Sequence, residues 1–555
     1  MRTDALVEDR PVTTETPAPV RRRRWRWWPS TRLERTSAVL FALAVTVLLL
    51  PVLGAPINAD ERFQYFIAEA RTQGSFPALF SWTWAEIPGY AAQGRITPLG
   101  FLAQRIEYFL GLRASVALGI PLRVVHGVVR LLLLLLVLWA VRAFLLRVRA
   151  RGAERTSVGI APERVGLVLA TTALVFALGA TVQDQFSNSM VTYPVLTYTA
   201  LAILLGFPAI LLALLPRLAA RRSRWFAGAA VLVAALLGAV LNVSYELYYV
   251  AFPTMVAAVV LQHVGAPGAR RAKVLLLGGV VVGFGLTFAW TRWIVARACA
   301  ESACYVGVQP DLGSGAVRTA VLNIVNSVPF TGWHSSRAEL AARGMAGQYP
   351  SWPGNELSAV VVVAAVAWAV LLLAHFRRWT PVAEGEGRAI AKAMLVVAGA
   401  GIGAATVMAL SAQAQVRIGG IGDPYRNTFS TWGSIALGAT LTALLLALVL
   451  RKRRYAVVPF AVLVAFAAVV GMFQFPLNAA VSRSYDSSTS VPRRVADEVT
   501  YGERTATADA RRCALVREMA VTNIGRTAGR HLIPNAAKAF ESLHGFPFCS
   551  TGLKR

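Results

Sequence analysis

Apolar runs of about 20 residues recur along most of this 555-residue chain. Each is long enough to cross a bilayer, whose hydrocarbon core takes roughly 20 residues of helix. About eleven fall near 36–56, 123–146, 165–183, 196–216, 225–242, 247–264, 273–292, 357–375, 391–411, 431–450 and 455–475. Inside hydrocarbon the backbone must satisfy its own polar groups, which restricts such runs to helices. The expected fold is therefore an all-α polytopic membrane protein with about eleven transmembrane helices. Composition agrees. Hydrophobic residues make up 56% of the chain and charged residues 15%, where soluble domains are about 45–50% apolar even with glycine counted. Only Asn242 to Tyr249 separates the fifth run from the sixth, which leaves those two boundaries open.

A net charge of +28 would suit a nucleic-acid partner if it formed a surface patch, but its distribution argues otherwise. Basic residues cluster in alternate loops: Arg21 to Arg24, Arg147 to Arg155, Arg217 to Arg224, Arg270 to Lys273, Arg377-Arg378 and Arg451 to Arg454. The intervening short loops 184–194 and 242–249 hold none. By the positive-inside rule the Arg-rich loops and the N-terminus are cytoplasmic, and no nucleic-acid partner is expected. An odd number of spans then leaves the tail after about Pro476 outside, in a multi-pass protein of the plasma (inner) membrane. Three regions follow: a disordered basic cytoplasmic segment 1–35, a transmembrane domain 36–475 and an exterior region 476–555. The leading segment is too long for the n-region of a cleavable signal. Its Arg21-Arg22-Arg23-Arg24-Trp25-Arg26-Trp27-Trp28 stretch suits a juxtamembrane anchor on anionic lipid. All four cysteines, Cys299, Cys304, Cys513 and Cys549, fall in segments assigned to the oxidising side. Of three possible pairings, Cys299–Cys304 with Cys513–Cys549 is the simplest. No CxxC or Cys/His spacing indicates zinc.

Three exterior segments are larger than a turn requires. The first, 57–122, opens Asn58-Ala59-Asp60-Glu61-Arg62-Phe63, in which Asn58 and Glu61 have the spacing of a capping box. Phe63, Phe66, Ile67 and Ala70 then repeat at helical spacing. Leu99, Leu102, Ile106 and Phe109 do the same after Pro98. Both stretches read as amphipathic helices lying in the interface, a shelf over the membrane. Two accounts of the acidic pair stay open. Asp60 and Glu61 can simply serve the first turn of a helix, worth about 0.3–1 kcal/mol each, or they can face a cavity and carry chemistry.

Asp60-Glu61-Arg62-Phe63 directly after the first span resembles the first exterior loop of the GT-C superfamily of integral membrane glycosyltransferases. The resemblance is nearest to the protein O-mannosyltransferase and aminoarabinose-transferase branches. It covers roughly 20 residues, continuing through Ala68-Glu69-Ala70-Arg71-Thr72-Gln73-Gly74-Ser75-Phe76-Pro77. It implies a GT-C-like fold and transfer of a sugar from a polyprenyl-phosphate donor to an exterior acceptor: a cell-envelope glycan, a glycolipid or a protein. Asp60 would be the general base, with Glu61 its orienter or a helix cap. The leaving phosphate needs cations. Arg417 and Arg426 flank Gly419-Gly420-Ile421-Gly422-Asp423-Pro424-Tyr425, where glycines permit close backbone approach and arginine binds phosphate as a fork. Arg62 and Arg95 are alternatives. Asp184 and Glu246 are candidates for acceptor or divalent-metal contact; each is equally open to being a cap or a solvated carboxylate. His126 reads as a hydrogen-bonded interface residue. The segments Val328 to His334 and Gln348 to Pro353 suit either sugar stacking, a lid, or packing onto the shelf. The tail is too small for a core of its own without a disulfide, and Gly279 with Gly283 marks close helix packing.

Two other classes remain compatible with these features. A flippase, transporter or polymerase-like handler of lipid-linked glycans would show charged or broken spans near the midplane, whereas here the ionisable residues lie at span ends. A non-catalytic envelope scaffold is the third.

Overall fold

The computed structural model describes residues 31–152, 156–184, 187–220, 223–301, 304, 309–345, 356–377, 381–450, 453–488, 490–521 and 526–550, apart from the side chains of 59, 60, 301, 356, 357, 453, 454, 487, 488, 490, 519–521 and 526–531. The basic segment Arg21 to Trp28 and the Gln348 to Pro353 motif lie outside the described residues.

Helix α1 (Arg32–Leu53) leads through α2 (Ala59–Thr72), α3 (Ala78–Ala85), α4 (Ile87–Ala92) and α5 (Pro98–Leu118) into α6 (Leu122–Leu145). A small antiparallel hairpin, β1 (Arg149–Arg151) and β2 (Ser157–Gly159), precedes α7 (Pro162–Gly179), α8 (Pro194–Ala220) and α9 (Arg224–Ser244). A 3-10 turn, Glu246–Val250, opens α10 (Ala251–Leu261), and α11 (Ala269–Glu301) follows. Next come α12 (Ser314–Asn326), α13 (Trp333–Ala342), α14 (Glu356–Arg377), α15 (Glu386–Ala409) and the short α16 (Ala412–Arg417). The chain ends with α17 (Thr428–Val449), α18 (Arg453–Ala456), α19 (Val458–Ser488), α20 (Ser490–Tyr501), α21 (Ala506–Val521) and α22 (Arg526–His544). Among the described residues ten helices are long and apolar enough to cross a membrane: α1, α6, α7, α8, α9, α11, α14, α15, α17 and α19. The chain is an all-α polytopic membrane protein. The run at 247–264 is shorter, an apolar segment from Glu246 to Leu261. Its Glu246 meets Arg95 beside the first-loop helices and the following Gln262 meets Arg149 at the hairpin, so it too runs between the two ends of the bundle.

Local signals explain several boundaries. The capping box sits on α1, where the Thr31 hydroxyl accepts from the Glu34 amide at 3.1 Å and the Glu34 carboxylate accepts from the Thr31 amide. Gly279 and Gly283 of α11 lie against the backbone of α9. A Cβ on Gly283 would stand 1.9 Å from the Ala235 carbonyl oxygen, so the two helices approach only because that position is bare.

The loops sort to two ends of the bundle. At one end Gln262 accepts from the Arg149 amide and donates to the Arg147 carbonyl, each at 2.8 Å. Glu386 accepts there from the Ala161 amide and from Arg164. The other end carries a cap built from α2 to α5 and from α20 to α22. These share an apolar core in which Tyr65, Phe66, Leu79, Phe109 and Leu112 meet Val495, Val499, Leu532 and Phe540. The C-terminal region thus completes its core with the first loop. Its Cys513 is bonded to Cys549, and Cys299 is bonded to Cys304, with Cα separations of 5.1 and 5.3 Å. The last span runs on unbroken through Pro476 to Ser488.

The buried faces of the cap helices differ from the expected apolar stripes. On α2, Phe66 is buried, but so are Glu61, Arg62, Tyr65, Glu69 and Thr72, while Phe63, Ile67 and Ala70 are only half-buried. On α5, Leu99 is exposed, whereas Gln104, Arg105, Glu107 and Tyr108 are buried. An interfacial helix whose outer side meets lipid can turn its polar side inward, provided that side finds partners. Glu69, for example, receives Arg113 in a two-pronged contact at 2.8 and 2.9 Å.

Candidate active site

Two cavities adjoin at the cap end of the bundle. The larger, about 600 Å³, is lined by Asp184, Ser187, Tyr193, Gln413, Arg417, Ile418 and the stretch Asp423 to Arg426. Its lining stretch Asp423 to Arg426 is the end of the glycine-rich turn before α17. Asn326, at the end of α12, shapes that turn by donating to the Gly420 and Asp423 carbonyls at 3.0 Å each and accepting from the Gly422 amide at 2.8 Å. Gln183 donates to the Gly422 carbonyl. Gly422 takes φ +101°, a conformation open to glycine. The Asp423 carboxylate accepts from the Gly420 amide at 3.1 Å. Arg417 Nη1 reaches the Ser187 hydroxyl at 3.4 Å, and Arg426 lies over the Tyr193 ring, 5.4 Å from its centroid. Among the described residues neither arginine is in an ion pair, although Asp184 shares the cavity. Asp184 and Tyr193 both hold positive φ, +46° and +47°, which is uncommon for a non-glycine residue and strained for one as bulky as tyrosine.

The smaller cavity, about 210 Å³, is lined by residues of five segments, among them Gln64 of α2, Gln104 and Tyr108 of α5, and Tyr245 with Glu246 beyond α9. Tyr193 and Arg426 line both cavities. Arg95 pairs with Glu246 at 3.1 Å. Arg105 is held by Glu86, by the Tyr90 hydroxyl at 2.8 Å and by the Trp82 face, 3.7 Å from its centroid.

Behind this cavity lies a buried cluster. The Tyr65 hydroxyl donates to Glu107 Oε1 at 3.0 Å, and His126 Nδ1 stands 2.7 Å from that hydroxyl and 3.1 Å from the same carboxylate oxygen. Arg130 clamps the end of α1 by donating to the carbonyls of Val52, Leu53 and Ala55 at 2.8, 3.1 and 3.1 Å, and it also reaches the Val191 carbonyl. Glu61 has no exposed surface, and among the described residues neither of its oxygens is within hydrogen-bond geometry of a partner. Burial pushes its carboxyl up to about 7; Glu107 adds to the shift, while Arg130 and the nearby Tyr193 amide oppose it. Burial likewise raises Glu107 to about 7. With one guanidinium for two carboxyls, the cluster does best by retaining a proton.

Several sequence expectations meet these facts. Asp184, Arg417 and Arg426 come together in the larger cavity, and Glu246 with Arg95 in the smaller. Arg62 lines neither. Its Nη2 donates to the Ile57 carbonyl at 2.9 Å and it faces Asp486 and Asp497 of the C-terminal region. The capping role of Glu61 is corrected, because a capping box needs its carboxylate on the Asn58 amide and among the described residues it makes no such bond. The side chain of Asp60 lies outside the described residues. His126 is fully buried in a side-chain network. Trp333 donates to Gln474 at 2.7 Å, so its segment packs against α19. Ionisable residues are not confined to span ends either, since Arg130 sits two turns inside α6. That arginine in an apolar run was the available signal for the cluster. Tyr65, Glu107, Asn326 and Gln183 carry no such signal.

Among the described residues no group of three His, Cys, Asp or Glu side chains could hold a metal ion. Asp184 and Asp423 share a cavity, but Asp423 is committed to the glycine turn. The described donors therefore do not fit a divalent metal. No protein-family model, characterised protein or solved structure matches the chain.

Proposed function

We propose that this protein is a GT-C-like integral membrane glycosyltransferase that moves a sugar from a polyprenyl-phosphate donor to a hydroxyl acceptor, which is a cell-envelope glycan, a glycolipid or a protein. The observation that carries this reading is the larger cavity, where two arginines without ion-pair partners among the described residues meet Asp184. A phosphate is the natural complement to two guanidiniums. The distribution of arginines supports a cap end outside the cytoplasm and a plasma (inner) membrane location.

In the transfer step the acceptor oxygen attacks the anomeric carbon as the bond from that carbon to the phosphate oxygen breaks. The electron pair stays with the polyprenyl phosphate, whose growing negative charge Arg417 and Arg426 stabilise. The acceptor proton passes to a carboxylate, a service worth about 10²–10⁴-fold. Asp60 takes this role on the sequence resemblance and on its place in α2, one turn before the cavity-lining Gln64. Glu61 is sealed behind the wall and positions the end of α2 through the buried cluster.

Asp60→Asn tests the assignment. Sugar transfer from membrane-extracted lipid donor should fall at least about 100-fold, with expression and thermal stability retained. Unchanged transfer in that variant overturns it.

A further inference from the structure

The two cavities differ in chemistry. The larger presents two arginines without ion-pair partners among the described residues. The smaller presents amides, phenols and, besides the shared Arg426, two guanidiniums that already hold carboxylate partners. Resting on the transferase reading, we propose that the smaller cavity is the sugar compartment and that it admits one neutral sugar ring and rejects an amino sugar carrying an ammonium group.

Size sets the first limit. At about 210 Å³ the compartment lies below the roughly 300–1,000 Å³ of ordinary ligand pockets, which suits one ring and not an oligosaccharide. Its lining supplies what a sugar needs. Gln64 and Gln104 each offer an amide donor and acceptor, and Tyr108 and Tyr245 offer hydroxyls. Tyr90 and Phe101 stack with centroids 4.0 Å apart, an aromatic wall for the apolar face of a ring. Arg426 and Tyr193 line both spaces, so a phosphate in the larger cavity and a sugar in the smaller would be joined across those two residues. The strained backbone of Tyr193 at that junction fits such a positioning role.

Charge sets the selectivity. Three guanidiniums, Arg95, Arg105 and Arg426, face the compartment against one carboxylate, Glu246. Glu246 is bound to Arg95, and Glu86 neutralises Arg105 from behind. Glu61 and Glu107 lie behind the wall and are buried, so they offer no contact to a ligand. An incoming ammonium would meet cations without a free carboxylate, and like charges brought together discriminate strongly.

The test uses the full chain in lipid nanodiscs and four probes: polyprenyl phosphate alone, and the same lipid carrying a neutral pentose, a neutral hexose or a 4-amino-4-deoxypentose. The neutral pentose lipid should bind about tenfold or more tighter than its amino counterpart. Gln104→Ala should weaken both neutral sugar lipids and leave polyprenyl phosphate alone unchanged, which also shows that the variant is folded. Arg95→Gln frees Glu246 and should shift the preference toward the amino sugar by about tenfold. Equal or tighter binding of the amino sugar by the unaltered protein, or an unchanged ratio in Arg95→Gln, overturns the proposal while leaving the transferase reading intact. If none of the four lipids binds, both fall.

Discussion

Two carboxylates are buried at opposite ends of this bundle, and they are treated differently. Glu386, 1% exposed, opens α15 with both oxygens in use, one on the Ala161 amide at 2.8 Å and the other on the buried Arg164. Glu61 is equally buried, and neither oxygen has a hydrogen bond among the described residues. The first is a structural ion pair, in which each charge compensates the desolvation of the other. The second is a standing cost located beside two cavities and a strained loop. Costs of this kind concentrate where a protein does chemistry.

The contrast can be broken at several points. The largest stability effect belongs to the satisfied end: Arg164→Met should cost about 3–5 kcal/mol by leaving Glu386 alone, and the double variant with Glu386→Gln should recover most of it. Thermal unfolding in detergent measures both. If Arg164→Met is silent, the pair is not structural. Next, removing the Cys513–Cys549 bridge, which closes a 36-residue separation, should cost about 2–4 kcal/mol. Hydrogen exchange should show the loss in α20 to α22 and in α2, which shares their core, with the Arg164–Glu386 end unaffected.

Glu61→Gln should do the opposite of Arg164→Met. It removes an unpaired buried charge and should raise stability at pH 7.5 by on the order of 1–3 kcal/mol, while slowing transfer. The pH slope of stability is read as a difference between the unaltered protein and Glu61→Gln. Glu61 and Glu107 rise from 4.5 to about 7 on folding, so between those values the folded chain binds more protons than the unfolded one. Their contribution to stability is therefore fully present below about 4.5 and is lost as pH rises toward 7, opposite in slope to that of Glu86 and Asp509, which folding lowers. Glu61→Gln should flatten that slope. The same slope in Glu61→Gln and in the unaltered protein would show that Glu61 is not the group responsible.

Much of the fold was legible in the sequence, for a simple reason. Apolar runs of bilayer length admit only helices, and the arginine alternation sorted the loops to two ends, as the hairpin contacts of Gln262 and the cavity contacts of Arg417 and Asp184 illustrate. The sixth run joins the two ends of the bundle as a 3-10 turn followed by α10, a break that hydropathy does not distinguish from one continuous helix. The cap was less legible. The stripe Phe63-Phe66-Ile67-Ala70 suggested an apolar buried face, but α2 lies between α5 and α22, so its polar side also finds partners. The site was legible where residue type and loop position coincide, as with Arg417, Arg426 and Asp184. It was not legible for Tyr65, Glu107 and Asn326, whose roles depend on contacts with segments 61, 19 and about 95 residues away.

The central claim is that Arg417 and Arg426 form the phosphate site of a lipid donor. Its most direct test is the binding of polyprenyl phosphate to the full chain in nanodiscs, comparing the unaltered protein with Arg417→Gln/Arg426→Gln and with Arg343→Gln. Arg343 is bound to Glu339 at 3.0 Å and lines neither cavity. The account predicts a loss of about 100-fold for the double variant and none for Arg343→Gln. Equal affinity in all three proteins would contradict it.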